Sequence, residues 1–246
     1  MYEQLAEAVK KSKNIVFFGG AGVSTESGIP DFRSAGGLYD ADFEGCSPEE
    51  ILSADYFRRN PELFYKFYRE RMLFPDAKPG KAHSALAALE RGGKLSCVIT
   101  QNIDGLHQAA GSRRVLELHG TVHKNRCMVC GKIYNMYDIL NSSGIPRCAA
   151  CGGLIKPCVT LYGEMLPEGV LEAAAAVIRR ADLLIIGGTS LTVYPAAGLA
   201  SYFKGNCIAV LNRAATPADR DASIVIRDSV GTVLEDVVEN WKSQTS

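Results

Sequence analysis

The sequence predicts an α/β fold with a doubly wound parallel sheet and a smaller inserted module, and three observations support this prediction. Short apolar runs rich in β-branched residues recur along the 246 residues, and continuous apolar character is typical of strands covered on both faces. Segments with helical spacing of apolar residues lie between these runs, which is the alternation expected of a parallel sheet. One stretch, residues 121–154, interrupts the alternation and contains four cysteines.

The predicted strands are the apolar runs bounded by glycine or polar residues: Ile15–Phe18, Cys97–Thr100, Val115–Leu118, Leu183–Ile186, Ile208–Leu211 and Ile224–Ile226. The predicted helices are Pro48–Leu52, Pro61–Leu73, Ala82–Glu90, Glu168–Arg180 and Ala196–Phe203. We expect a large domain of residues 1–34, 76–120 and 155–246. Residues 35–75 would form the helical and flexible-loop part of a small domain, and residues 121–154 its metal-binding module.

Composition and charge argue against several classes of protein. The 27 Lys and Arg residues balance the 27 Asp and Glu residues, so no overall field would hold the protein on nucleic acid or on a membrane. No apolar run approaches the roughly 18 residues that span a bilayer, and the first residues lack the apolar core of a signal peptide. We therefore expect a cytoplasmic protein whose eight cysteines are thiols or metal ligands rather than disulfides.

Four cysteines form the strongest local motif. They occur as two Cys-x2-Cys pairs separated by 17 residues, Cys127 with Cys130 and Cys148 with Cys151. Two residues between cysteines let both thiolates point at one ion, and two such pairs complete a tetrahedron. Because four thiolates leave no open coordination position, a zinc ion held here is predicted to be structural.

A glycine-rich segment directly follows the first predicted strand. Residues 19–25 read Gly-Gly-Ala-Gly-Val-Ser-Thr, and such glycines let backbone N–H groups approach a pyrophosphate at a helix N-terminus. Thr25 stands where the usual dinucleotide fingerprint has its third glycine. Taken alone, the segment is also typical of a plain strand-to-helix turn.

The loop that follows is rich in glycine and aromatic residues and is suited to cover a site. It places Asp31, Phe32 and Arg33 in succession. Arg33 has the geometry to clamp a phosphate, and Phe32 has the apolar surface to cover a reactive centre. The same residues are compatible with a solvated surface loop.

Polar side chains also follow two other predicted strands. Gln101, Asn102 and Asp104 come after the strand at residues 97–100, and His119 comes directly after the strand at residues 115–118. Ligands of open α/β sheets bind outside the carboxyl ends of the strands, and histidine moves protons near neutral pH. The alternatives are an Asn/Asp turn and a structural histidine.

Taken in order, these segments resemble the sirtuin (Sir2) family of NAD-dependent protein lysine deacylases, and the chain is about the size of the bacterial or archaeal catalytic core. The ordered set is specific and covers nearly the whole chain. The matching segments are Gly20–Ser24 and Ser27–Arg33, Thr100–Asp104 with Leu106–Gln108 and Gly111, Leu118–Gly120, the four cysteines, Tyr162–Glu164, Gly188–Leu191 with Val193 and Pro195, and Asn212.

The resemblance implies a Rossmann-like large domain and a smaller domain carrying a zinc ribbon, with NAD and acyl-lysine meeting between them. It implies NAD-dependent deacetylation of acylated proteins or peptides, yielding nicotinamide, O-acetyl-ADP-ribose and free lysine, and one structural zinc ion. The alternatives within the resemblance are removal of succinyl or malonyl groups and ADP-ribosyl transfer. We expect a monomer without nucleic-acid or membrane partners.

The resemblance also implies residue roles. His119 and Asn102 would be catalytic, with His119 the general base on a ribose hydroxyl, and Cys127, Cys130, Cys148 and Cys151 would bind zinc. NAD would be held by Ala21, Gly22, Ser24, Thr25, Asp31, Phe32, Arg33, Gln101, Ile103, Asp104, His119, Gly188, Thr189, Ser190, Asn212 and Val230. The acylated peptide would be held by Val159, Thr160, Tyr162, Gly163, Glu164 and Val193.

Some positions depart from the family pattern. Tyr162 takes the place of the usual phenylalanine, and Lys156 replaces a frequent arginine, keeping the charge but losing the bidentate fork. Members that remove succinyl or malonyl groups carry a tyrosine and an arginine three residues apart in the small domain. Here Tyr65 is followed three places later by Tyr68, with Arg69 next, so we expect neutral acyl groups to be preferred and keep acidic ones open.

Overall fold

The computed structural model describes residues 2–243, and its elements alternate between strands and helices as predicted. In chain order they are α1 (Glu3–Lys11), β1 (Ile15–Gly19), α2 (Pro48–Ile51), α3 (Ala54–Arg59), α4 (Pro61–Phe67), α5 (Lys81–Arg91), β2 (Leu95–Thr100), α6 (Leu106–Ala109), β3 (Val115–Glu117), β4 (Gly120–Cys127), β5 (Ile133–Tyr134), α7 (Met136–Leu140), β6 (Ile155–Val159), α8 (Val170–Arg180), β7 (Leu183–Gly187), β8 (Cys207–Leu211), β9 (Ile224–Ile226) and α9 (Val230–Ser243). A π-helical turn, Tyr68–Met72, continues α4, and Ala196–Tyr202 is a 3-10 helix.

Within residues 2–243, the large sheet consists of six parallel strands in the order β3-β2-β1-β7-β8-β9. This order reverses between β1 and β7, which is the arrangement of a doubly wound dinucleotide-binding fold. The predicted strands all lie in this sheet, with ends that differ by at most two residues. The predicted fold class is therefore confirmed.

Both faces of the large sheet are covered. Along β1, Ile15 and Phe17 belong to one core cluster, with α1, α5 and α9, whereas Val16 and Phe18 belong to the opposite cluster, with α8. Successive strand residues point to opposite faces, so two apolar layers require a continuous apolar run. This explains why the strands of this sheet do not alternate in polarity.

Helix α9 was not among the predicted helices. Its buried residues include Val230, Val233, Leu234 and Val237, which have the helical spacing of an amphipathic face. The pattern was present in the sequence and was missed. Among residues 2–243, no helix is both long enough and apolar enough to cross a membrane.

The small domain combines the two inserted parts of the chain. An antiparallel sheet in the order β5-β4-β6 packs with α2, α3, α4 and α7 around one apolar cluster. Strand β6 lies in the predicted large-domain range that begins at residue 155. It pairs with β4, and Ile155, Val159 and Leu161 are buried in the same apolar cluster as these helices.

The loops after β1 and β7 touch at the point where the strand order reverses. The N–H of Gly20 donates to Gly187 O at 3.2 Å, and the N–H of Gly22 donates to Gly188 O at 2.9 Å. A Cβ atom on Gly22 would lie 2.8 Å from Gly188 Cα, and one on Gly188 would lie 2.6 Å from Val23 N. Gly188 also has a φ of +60°, so a side chain at this position is excluded by both sterics and backbone conformation.

We predict that Gly188→Ala destabilises the protein by about 2–4 kcal/mol, because a left-handed backbone costs an alanine about 1–2 kcal/mol and the overlap with Val23 adds to that cost. Gly93→Ala is the matched control, since Gly93 has a φ of +73° but open space around its Cβ position. Urea denaturation of both variants measures the difference. Equal losses would show that the Gly22–Gly188 approach carries no steric constraint.

Candidate active site

A cavity of about 710 Å³ lies between the large sheet and the small domain. It is lined by residues that follow β1, β2, β3, β7 and β8, together with residues of the small domain. This is the carboxyl edge of the sheet at its switch point, where open α/β sheets bind ligands. Every residue predicted to hold NAD or the acylated peptide, from Ala21 to Val230, lines this cavity.

His119 lies two residues beyond the end of β3. Its Nδ1 is 2.9 Å from the backbone carbonyl oxygen of Gln101, and because a carbonyl oxygen only accepts, Nδ1 carries the proton. Nε2 keeps its lone pair and has no hydrogen-bond partner in the described part of the chain. Burial lowers the pKa of His119, and the hydrogen bond to Gln101 offsets part of that shift, so the neutral imidazole can accept a proton.

Gln101 connects two loops that line the cavity. Its Oε1 accepts a hydrogen bond from Thr189 Oγ1 at 2.9 Å, and its backbone N–H donates to Gly19 O at 2.9 Å. Its Nε2 is buried and has no partner within residues 2–243. Because an unpaired buried donor is costly, this nitrogen fits an acceptor on a bound ligand, as the predicted contact with NAD requires.

Ser24 is the centre of a buried polar cluster beside the cavity. Its hydroxyl donates to Asp104 Oδ2 at 2.6 Å and accepts from Asn102 Nδ2 at 2.9 Å. Nε2 of His83 lies 3.4 Å from the same oxygen, and Nδ1 of His83 accepts from Gly80 N–H at 3.1 Å. These bonds occupy the Ser24 hydroxyl, which therefore orders Asn102 and Asp104.

The loop after β1 is connected to the predicted peptide segment through two tyrosines. The hydroxyl oxygens of Tyr39 and Tyr162 lie 2.7 Å apart. Phe32 packs on Tyr39 with ring centroids 5.3 Å apart, and the Arg33 guanidinium lies 5.6 Å from the same ring. The Asp31 carboxylate accepts a hydrogen bond from Arg33 N–H and orders the turn. Tyr162 thus makes a contact that a phenylalanine lacks.

The segment that follows β6 is held beside His119. Thr160 N–H donates to His119 O at 2.9 Å. One carboxylate oxygen of Glu164 lies 2.9 Å from Lys156 Nζ and accepts from Leu161 N–H at 3.0 Å. Lys156 therefore holds the segment through one ion pair with Glu164, where an arginine would offer two parallel bonds. Glu164 also fixes the backbone of its own segment through the N–H of Leu161.

Tyr65, Tyr68 and Arg69, the residues compared above with family members that remove succinyl or malonyl groups, do not line the cavity. Tyr65 and Tyr68 are fully buried, and the Tyr65 hydroxyl donates to Ile155 O. Arg69 donates to Ile139 O at 3.0 Å and to Ser142 Oγ at 2.8 Å. These contacts hold Arg69 within the small domain, so it is not the arginine that faces a substrate.

Arg71 is the cavity residue that this comparison missed. It lines the main cavity and also a smaller adjoining one of about 180 Å³. Its guanidinium lies 5.8 Å from the centroid of the Phe43 ring and makes no ion pair in the part of the chain that the structure describes. The spacing Tyr68-x2-Arg71 was readable in the sequence, and the Tyr68 hydroxyl is buried without a partner among the described residues.

Arg213 and Asp228 also line the cavity and were missed. Each lies two residues beyond the carboxyl end of a strand, β8 and β9 respectively. That is the same signal that identified Gln101 and His119. Applied to every strand of the sheet, it would have found both residues.

The four predicted metal ligands form one cluster. Their sulfur atoms all lie within 4.8 Å of one another, with Cys127 Sγ 3.4 Å from Cys151 Sγ and Cys130 Sγ 3.6 Å from Cys148 Sγ. Tetrahedral zinc with bonds of about 2.3 Å separates its sulfurs by about 3.8 Å. The spacing of the four sulfur atoms therefore fits a structural zinc ion.

Comparison with known proteins gives a consistent result. The sequence profile of the Sir2 family matches residues 20–195. The chain is 52% identical over 238 residues to an NAD-dependent protein deacetylase of Clostridium perfringens, covering 96% of this chain and 98% of the relative. A solved Sir2 homologue in complex with NAD is 39% identical, with a TM-score of 0.90 and coverage of 100% and 96%. A Sir2 complex with a p53 peptide and NAD+ is 38% identical, with a TM-score of 0.88 and full coverage of both chains.

We predict that Cys148→Ser removes the bound zinc and lowers the thermal stability of the small domain, because metal-binding energy at such a site is part of the folding energy. Metal analysis and a thermal melt followed by circular dichroism measure both effects. Cys207→Ser, a half-buried thiol outside the cluster, is the control and keeps the metal. A wild-type protein purified without stoichiometric zinc would contradict the assignment.

Proposed function

The chain belongs to the Sir2 family, and we propose that it is an NAD-dependent protein lysine deacetylase that produces nicotinamide, O-acetyl-ADP-ribose and free lysine. One observation carries this proposal. His119, with Nε2 free to accept a proton, lines the same cavity as the glycine loop after β1 and the segment after β6. A base, an anion-binding loop and a peptide-binding segment are thus combined in one place.

The glycine loop and the arginine beside it are the parts suited to hold the dinucleotide. Gly20 and Gly22 bring backbone close to the cavity, and Arg33 supplies a cation whose side chain is not paired with a carboxylate in the described residues. NAD, when bound, supplies the ADP-ribosyl group that receives the acyl group. Gln101 Nε2, buried without a partner in the described structure, would donate to a ribose oxygen.

Asn102 and Asp104 are held in fixed orientations by Ser24. Asp104 Oδ1 also accepts from Leu106 N–H at 2.9 Å, so its carboxylate is anchored from both oxygens. We assign Asp104 and the neighbouring Ile103 to the nicotinamide amide. Preorganised polar groups of this kind act without reorganisation during the reaction.

His119 acts as the general base. Gln101 O holds the Nδ1 proton, which directs the Nε2 lone pair into the cavity and towards a ribose hydroxyl. Thr160, bonded to the backbone of the same histidine, holds the acyl-lysine segment at that position. Phe32, held by Tyr39, covers the reacting centre and keeps water from it.

Acylated peptides are expected to bind as an added strand along residues 159–164 and the loop after β7. Backbone pairing supplies affinity in such recognition, and side-chain pockets supply specificity. This mode needs no bulk charge attraction, which agrees with the balanced charge of the chain. The zinc ion has no part in the reaction, since four thiolates complete its coordination.

We further propose that the enzyme works as a cytoplasmic monomer on proteins and not on nucleic acid or membranes. None of the eight cysteines forms a disulfide in the structure, which suits a reducing compartment. The zero net charge supports the absence of a nucleic-acid partner.

A specific observation favours a second activity, the removal of succinyl or malonyl groups. Arg71 lines the cavity with a guanidinium that has no carboxylate partner among the described residues. Tyr68, three residues before it, is fully buried and does not line the cavity, so Arg71 alone would face the end of the acyl chain. A carboxylate at the end of the acyl chain would give Arg71 the ion pair that it lacks.

We predict that His119→Ala lowers the rate of acetyl-lysine removal by about 100- to 10,000-fold, as expected for loss of a general base, while ADP-ribose binding is retained. Mass spectrometry of peptide, nicotinamide and O-acetyl-ADP-ribose measures the reaction. If nicotinamide release were coupled to attachment of ADP-ribose to unmodified protein, the result would contradict the proposal and favour ADP-ribosyl transfer.

The pH profile tests the same assignment. Nε2 must be unprotonated to act as the base, and burial lowers the pKa of His119. We therefore expect kcat/KM to rise with pH, with an apparent pKa below about 6.5, and then to stay level. A rise in kcat/KM with an apparent pKa above about 6.5 would contradict the assignment.

We predict that Arg71→Leu lowers kcat/KM for succinyl-lysine relative to acetyl-lysine by about tenfold or more, since a charge-assisted hydrogen bond contributes about 1.5–3 kcal/mol. Two peptides that differ only in the acyl group provide the ratio. Arg58→Leu, on the surface of α3, is the control. A ratio that does not change in Arg71→Leu would rule out a role for this residue in acyl selection.

A further inference from the structure

Arg213 is an exposed arginine that the proposed function does not yet use. It follows Asn212 at the carboxyl end of β8 and lines the main cavity together with Asp228 and Ser229. Its side chain makes no hydrogen bond and no ion pair within the part of the chain that the structure describes. An unpaired guanidinium at the edge of a ligand cavity is positioned to meet an anion from the ligand.

The loop that carries Arg213 is held firmly on both sides. Arg227 Nη1 lies 3.3 Å from Asn212 O and 3.1 Å from Ala214 O. Asn212 Nδ2 also donates to Ala214 O at 2.8 Å, and Arg227 is in turn paired with Asp219. The backbone on either side of Arg213 is therefore fixed, so less conformational entropy is lost when its side chain binds.

Asp228, a carboxylate that also lines the cavity, forms no ion pair with Arg213 in the described part of the chain. Asp228 accepts a hydrogen bond from the Tyr2 hydroxyl at 2.6 Å and one from Ser229 N–H at 2.7 Å. These two donors, helped by the more distant charge of Arg213, lower the pKa of Asp228. Asp228 is thus satisfied by its own partners, and the donors of Arg213 remain available.

The position of Arg213 bears on which dinucleotides can bind. In dinucleotide-binding folds an acidic residue near a strand end holds the ribose 2′-hydroxyl and repels a 2′-phosphate, whereas an arginine accommodates that phosphate. Directly after β8 this chain reads Asn-Arg-Ala-Ala, without a carboxylate. Asn212 is among the residues that the family resemblance implies hold NAD, at its adenosine end, and the inference rests on the proposed function and on that placement.

We propose that Arg213 lets the adenosine end of the cavity accept a phosphomonoester on the ribose, so that NADP+ and 2′-phospho-ADP-ribose bind at the NAD site and compete with NAD. The phosphate carries close to two negative charges at neutral pH and three acceptor oxygens. The guanidinium offers a planar fork that matches two of those oxygens.

Calorimetric titration of the full chain with ADP-ribose and with 2′-phospho-ADP-ribose tests the proposal. We expect the two Kd values of the wild-type protein to agree within about threefold, and Arg213→Leu to weaken the phosphorylated ligand by about tenfold relative to ADP-ribose. Arg213→Lys keeps the charge without the fork and should retain part of the binding. NADP+ should raise the apparent KM for NAD in the wild-type protein and do so more weakly in Arg213→Leu.

Arg220→Leu is the matched control, because Arg220 is an exposed arginine at the end of a 3-10 helix after β8, Pro217–Arg220, and does not line the cavity. It should leave the ratio of the two Kd values unchanged. A wild-type protein that rejects the phosphorylated ligand by more than tenfold would overturn the proposal. Equal weakening of both ligands in Arg213→Leu would also overturn it and would instead indicate stacking on adenine. If ADP-ribose itself failed to bind the wild-type protein, the proposed function would fail, which is a different result.

Discussion

The close approach of Gly22 to Gly188 is the constraint on which the rest of the site depends. Two parallel strands, β1 and β7, run side by side and their connections leave in opposite directions, which opens a crevice at their carboxyl ends. The backbones of the two loops meet there through the Gly22–Gly188 hydrogen bond, at a separation that admits no Cβ atom. Because side chains are absent at this point, the two loops can meet and a ligand can approach their backbone closely.

Gln101 links the glycine loop to the segment that is proposed to bind the peptide. Its side chain accepts a hydrogen bond from Thr189, and its backbone N–H donates one to Gly19. Its carbonyl oxygen accepts a hydrogen bond from Nδ1–H of His119. His119 in turn accepts from Thr160 through its own backbone. The loops after β1, β2 and β7, the end of β3 and the segment after β6 are therefore coupled through one residue. A disturbance at the glycine contact is expected to change the geometry of the base as well as the placement of the dinucleotide.

The sequence predicts those parts of the molecule that follow from local rules. Apolar runs located every strand of the large sheet, because both faces are buried, and the rule that polar residues at strand ends bind ligands located Gln101 and His119. The pairing of β6 with β4 and the contact of Tyr39 with Tyr162 depend on long-range placement, which no local pattern encodes. Arg71 was missed for a different reason. The spacing Tyr68-x2-Arg71 is present in the sequence, but spacing alone does not show that Arg69 packs inside the small domain and that Arg71 lines the cavity.

The balanced charge of the chain conceals an uneven distribution inside the cavity. Among residues 2–243, the arginines that line it, Arg33, Arg71 and Arg213, form no ion pair, whereas the carboxylates that line it already accept hydrogen bonds from protein donors: Asp31 from Arg33 N–H, Asp104 from Ser24, Glu164 from Lys156 and Asp228 from Tyr2. The carboxylates are held by protein donors, whereas the three guanidinium groups have no carboxylate to release before they pair with an anionic group of a ligand. The zero net charge of the chain is therefore compatible with binding of an anionic dinucleotide, because recognition depends on these individual arginines rather than on the overall charge.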